Sequence, residues 1–167
     1  GPVLNPQTRT AGDGPLLIIA DGTWADARDW SARSDRIELM LEEATRDGRT
    51  AAVVTLTDLP ETLAFQAADA IAQTLPNVQP NAWEPDAETL QTWADSLTGP
   101  FDTYWLSDGL ARDSRETLLG ELESFGTVTV FQTPRQTFCQ LHRAFAPPPV
   151  HFVPAQAPIH LYLKYAP

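Results

Sequence analysis

Four short apolar segments alternate with stretches of helical period, and this alternation narrows the architectures open to the chain more than any other feature. Pro15-Leu-Leu-Ile-Ile-Ala20 is a continuous apolar run ending in Asp21-Gly22, the pattern of a buried strand followed by a turn. Thr50 to Thr57 is β-branched and bounded by Asp58 and Pro60. Phe101 to Leu106 ends at Ser107-Asp108-Gly109, and Thr127 to Gln132 stops at Pro134. Between the first two segments the spacing of Trp30, Ile37, Met40, Leu41 and Ala44 predicts a long helix over about Ala25–Arg46. Asp26 and Asp29 stand in its first turn, where the helix dipole favours acids, and Gly48 stands just past its end. Further helices are expected over about Ala64–Leu75, Asp86–Leu97 and Ser114–Ser124. Strand–helix alternation of this kind yields an α/β fold: a three-layer, doubly wound, mostly parallel sheet with helices on both faces.

The flanks differ in character. Residues 1–14 are rich in Gly, Pro and Asn and read as a linker, and residues 15–135 hold the α/β domain. Residues 136–167 form a Pro-rich C-terminal extension or the start of a further β-rich domain. Gln136–Ala144 and His160–Tyr165 are its candidate strands, set among Pro147, Pro148, Pro149, Pro154, Pro158 and Pro167.

Charge excludes several partners. The chain has 167 residues and a formal net charge of −11, and Lys164 is its one lysine. Affinity for a phosphate backbone comes from clustered Lys and Arg, so a nucleic-acid partner is not expected, nor is a polybasic membrane patch. Cys139 is the single cysteine, which rules out an intrachain disulfide and a cysteine-built zinc site. No run approaches the roughly 20 apolar residues that span a bilayer.

Chemistry is expected where strands end. If the first and third strands are neighbours, Asp21, Thr23, Ser107 and Asp108 converge on one rim, outside the carboxyl ends of the sheet. Two readings of that rim stand side by side. The oxygens suit a hard cation such as Mg²⁺, or the two aspartates cap helices and close Asp-Gly turns. Hydrolases of the haloacid dehalogenase type place an Asp nucleophile two residues ahead of an Asp-Gly-Thr turn. Here that position is Ile19, which cannot attack phosphorus. The chain carries no phosphate-binding glycine loop and no Gly-x-Ser-x-Gly elbow. His142, His151 and His160 lie in the Pro-rich tail at spacings that suit no helical metal pair. Cys139 reads as a small apolar side chain and Glu42-Glu43 as a solvated helix face. Of the five tryptophans, Trp30, Trp93 and Trp105 fall in register with the core. Trp24 and Trp83 fall in loops, where an aromatic either packs over the rim or anchors a partner.

A buried strand ending in Asp21-Gly22-Thr23, a long helix, and a later strand ending in Ser107-Asp108-Gly109 resemble the von Willebrand factor A fold over about Pro15–Pro134. Gly1-Pro2-Val3-Leu4-Asn5-Pro6, Pro15 to Trp24 and Tyr104-Trp-Leu-Ser-Asp-Gly109 are similar to bacterial Bat-type (aerotolerance-related) membrane proteins. The resemblance implies an N-terminal double-transmembrane anchor removed just ahead of Gly1, a bacterial inner-membrane protein, and a periplasmic position for this domain. It also implies a metal-ion-dependent adhesion site in which Asp21, Thr23 and Asp108 match three ligands. Ala25 stands where a second serine belongs, and Pro80-Asn81-Ala82-Trp83-Glu84 offers no counterpart to the second-loop threonine. With two hydroxyl ligands gone, the expectation is a degenerate, Rossmann-like interaction or scaffold domain without a cofactor, binding a protein partner through Trp24, Trp83 and Ser107. The alternatives are a working Mg²⁺ site that takes a partner's carboxylate, and a metal-dependent hydrolase built on Asp21 and Asp108.

Overall fold

The computed structural model describes residues 12–110, 112–132, 150–153 and 161–165. Its centre is β1 (Leu16–Ala20), every residue of which is buried. β2 (Thr50–Thr55) lies parallel to β1 on one side and β4 (Asp102–Ser107) parallel to it on the other. β5 (Val128–Gln132) pairs in parallel with β4. Short antiparallel strands finish both edges: β3 (Gln66–Ala67) beside β2, then β7 (Leu161–Tyr165) and β6 (Val150–Val153) beyond β5. The order is β3-β2-β1-β4-β5-β7-β6.

Alternation along β1 sends its side chains into two cores. Leu16, Ile18 and Ala20 meet Ile37, Met40 and Leu41 of α2 (Trp30–Arg46), with Ala68 of α3 (Ala68–Thr74) in the same cluster. Leu17 and Ile19 face the opposite way, against α4 (Ala87–Ser96) and α5 (Asp113–Phe125), which contribute Leu90, Trp93, Leu118 and Leu122. Helices therefore cover both faces of a mostly parallel sheet, as the alternation predicts. The N-terminal edge is fastened by Arg49, which donates to the Gly14 carbonyl at 2.6 Å and to Asp102 at 2.9 Å.

Three local expectations need correction. The long helix over Ala25–Arg46 is broken into α1 (Trp24–Ala27) and α2, because Asp29 leaves helical geometry (φ −110°, ψ 17°) ahead of Trp30. The helix expected from Ala64 starts at Ala68, since Gln66 and Ala67 pair with Ala51 and Thr50 of β2 instead. The second strand ends at Thr55, where Asp58 N–H returns to the Thr55 carbonyl in a turn. Of the strand expected over His160–Tyr165, Leu161–Tyr165 is β7, whereas His160, Gln136–Ala144, His142 and Cys139 lie outside the described residues. Among the described residues, no helix is long and apolar enough to cross a membrane.

Candidate functional site

The strand order places the C-terminal ends of β1 and β4 next to each other, with Ala20 opposite Leu106. Connections from β1 lead to β2 on one side while β4 lies on the other, so this is the switch point of the sheet, the crevice at which open α/β folds bind ligands. Asp21 and Asp108 are the residues that follow the two pairing strands there.

Asp21 is fully buried, and donors engage both of its oxygens. Oδ1 accepts from Trp105 Nε1 at 2.8 Å. Oδ2 accepts from the Asp108 backbone N–H at 2.6 Å and from Arg115 Nη1 at 2.7 Å. The same Arg115 Nη1 lies 2.6 Å from Asp108 Oδ1. Asp108 Oδ1 also accepts from the Leu110 N–H, and Oδ2 accepts from Thr23 Oγ1 at 3.0 Å. Thr23 is at the same time the N-cap of α1, its hydroxyl oxygen accepting from the Ala25 N–H. Arg112 reaches both Asp108 oxygens at 3.3 Å and pairs with Glu84.

These contacts pull the two carboxylates apart electrostatically. Burial pushes Asp21 up to about 7, against the opposing pull of Arg115. Burial also raises Asp108, but hydrogen bonds from Arg115 and the Leu110 N–H, with the charges of Arg115 and Arg112, outweigh it and hold that carboxyl well below the usual range.

A second buried pair supports the first. Asp26 accepts from the Gly22 N–H at 2.8 Å and pairs with Arg33 at 2.8 Å, and Arg33 also donates to the Ser107 carbonyl at 3.1 Å. Burial raises the Asp26 carboxyl, and Arg33 opposes the rise. Gly22 turns with φ +64°, and a Cβ there would stand 2.8 Å from Thr55 Cβ, so only glycine fits. Its carbonyl accepts from the Asn81 N–H at 2.8 Å and from Thr57 Oγ1 at 3.1 Å. Together with the Arg112–Glu84 pair, these bonds tie the loop that carries Trp83 to the rim.

Asp21, Thr23 and Asp108 are thus brought together. Ser107 is buried, and its hydroxyl closes a turn by accepting from the Gly109 N–H rather than facing outward. Trp24 is 57% exposed, Trp83 54% and Leu110 37%. Trp105 joins packing to chemistry, its ring in the core and its N–H on Asp21.

Arg115, Arg33 and Thr57 carry no site role in the sequence pattern, and Asp26 reads there only as a first-turn acid, whereas it faces Gly22 and Arg33. A signal for the two arginines was present. Arg115 shares a helical face with Leu118 and Leu122, and Arg33 sits between Trp30 and Ile37 on the apolar stripe of α2. An arginine in a core-facing position needs a buried carboxylate partner.

A divalent cation of the kind the resemblance implies does not fit these residues. Arg115 Nη1 lies between the two carboxylates that would hold it, and the Thr23 oxygen already serves Asp108 and the helix cap. Among the described residues no group of three His, Cys, Asp or Glu side chains is placed to hold a metal. A separate open cleft of about 580 Å³ lies between Leu59–Glu61 and α4, and no rim residue lines it. No family model matches the chain, and a comparison with curated protein sequences finds no significant match.

Proposed function

We propose that this chain is a non-enzymatic protein-interaction domain of a membrane-anchored bacterial protein, von Willebrand A-like and of the Bat type, standing in the periplasm with a degenerate adhesion site. The observation that carries the reading is the position of the exposed apolar side chains. Three of the four large apolar side chains exposed among the described residues stand at the C-terminal end of the sheet, the end at which open α/β folds bind ligands: Trp24 as the first residue of α1, and Trp83 and Leu110 in loops. Tryptophan is enriched among residues that dominate binding energy, because it buries a large rigid surface with one polar handle. Hydrolysis is disfavoured as a role because every oxygen of Asp21 and Asp108 is already engaged by a donor.

A photo-cross-linking side chain at position 24 or 83, in the full-length protein in its own membrane, tests this. Adducts to a protein from both rim positions, and none from position 39 on the exposed side of α2, are the expected result. Leu39 is 54% exposed and so is an equally accessible control. Adducts formed equally from position 39, or none from the rim, overturn the reading.

A further inference from the structure

We infer that Arg115 is a built-in cation: its guanidinium takes the place of a divalent metal between Asp21 and Asp108, so that the rim is assembled and kept in its binding shape without any ion. The inference rests on the adhesion-type reading of the rim and specifies how that rim is held.

Geometry carries it. One nitrogen, Nη1, lies 2.7 Å from Asp21 Oδ2 and 2.6 Å from Asp108 Oδ1, so a single positive centre bridges the ends of two neighbouring strands. All three side chains are nine-tenths or more buried, and water does not carry this charge balance. Two buried carboxylates so close together would repel strongly without a cation between them. The guanidinium meets that need with fixed donors and no dissociation equilibrium.

Placement on α5 adds a mechanical consequence. Arg115 stands in the first turns of the helix, three residues after Arg112, which reaches Asp108 and Glu84. The same helix end therefore joins β1, β4 and the loop bearing Trp83. In a metal-built rim that junction would loosen when the ion left. Here it is covalently part of the chain, and partner docking is expected to be indifferent to chelators.

Calorimetric titration of the isolated chain with Mn²⁺ or Mg²⁺, together with thermal unfolding of variants, tests the inference without any partner. The wild-type chain is expected to show no binding and no change in midpoint. Arg115→Ala removes the guanidinium and uncovers the two carboxylates, and saturating Mn²⁺ is expected to raise its midpoint by roughly 5–10 °C. Adding Asp21→Asn is expected to abolish that rise. Arg115→Gln, which retains much of the volume without the charge, is the second variant. If neither variant folds alone, refolding yield with and without Mn²⁺ is compared, and a higher yield with the ion supports the inference. Wild-type binding that Asp21→Asn abolishes overturns it, as does a variant whose midpoint or refolding yield is the same with and without Mn²⁺. Failure here leaves the cross-linking result unaffected, since that experiment reads the partner surface rather than the ion.

Discussion

Arg115 Nη1 donates to Asp21 Oδ2 at 2.7 Å across 94 residues of chain, joining the first turns of α5 to the end of the central strand. Breaking such a buried pair by removing one partner costs more than the pair contributes, because the other charge is left uncompensated. Arg115→Ala is therefore expected to lower unfolding stability by about 3–5 kcal/mol. Urea denaturation at pH 8, where Asp21 is ionised, measures it. A loss below about 1 kcal/mol, within the range of ordinary surface changes, contradicts the assignment.

The two aspartates give opposite pH signatures. Asp21 holds its proton up to about 7 in the folded chain but only to 3.8 when unfolded. Between those values the folded state binds more protons, so this group makes stability fall as pH rises. Asp26, also raised, acts in the same sense. Asp108 is depressed, so its contribution is present above 3.8 and is lost only as pH falls below that value. The unfolding midpoint of the wild type, taken relative to Asp21→Asn, is expected to decline between pH 4.5 and pH 7.5. A difference that stays constant or grows across that window refutes the assignment.

Gly22 is a point where backbone and site are inseparable. Gly22→Ala combines a left-handed φ of +64° with a Cβ placed 2.8 Å from the Thr55 side chain. The strained backbone costs about 1 kcal/mol or more, and displacing Thr55 adds overpacking of about 1–3 kcal/mol. Gly48→Ala has a similar φ of +66° with open space around it and is expected to show the backbone cost alone. Chemical denaturation of the two variants separates strain from crowding, and equal losses would show that the contact with Thr55 is harmless.

The layers of this fold were legible because β1, β2, β4 and β5 are short apolar runs separated by helices with clear stripes. Asp21 and Asp108 were legible as rim residues for the same reason, each following a strand. What the pattern hid was polar burial. Asp26 looks like a first-turn acid suited to the helix dipole, yet it turns inward to Gly22 and Arg33, and the helix breaks at Asp29 between Asp26 and Arg33. Arg115 and Arg33 carry charges on faces that periodicity assigns to the core, and their partners lie 94 and 7 residues away. Spacing rules see neighbours on one element, whereas Arg115 meets Asp21 only after the strands are side by side, and Arg33 meets Asp26 across the break between α1 and α2. The short β3 escaped for a different reason: two residues of pairing leave no period to detect.

Trp105 couples the core to the rim, and its two roles can be separated. Trp105→Phe keeps an aromatic ring among Leu17, Ile19 and Val130 but removes the donor to Asp21 Oδ1. A hydrogen bond to a charged group contributes about 1.5–3 kcal/mol, and the smaller ring adds a modest cavity cost. The loss is expected to be larger at pH 8 than at pH 5, because the protonated acid needs that donor less. Unfolding curves at the two pH values check it, and a loss independent of pH would assign the whole effect to packing.

Trp24 and Trp83 supply the contrasting case. Each is more than half exposed, and neither belongs to a core cluster among the described residues. A tryptophan that served the fold would cost about 3–5 kcal/mol when cut to alanine. Trp24→Ala and Trp83→Ala are instead expected to change stability by no more than about 0.5 kcal/mol, as exposed positions do. The hydrogen bonds of the Asp21–Arg115–Asp108 bridge do not involve their rings, so the pH dependence of unfolding is expected to be unchanged as well. Denaturation curves for the two variants decide the matter. Large losses would mean that the rings pack over the rim, and would remove the observation on which partner docking rests.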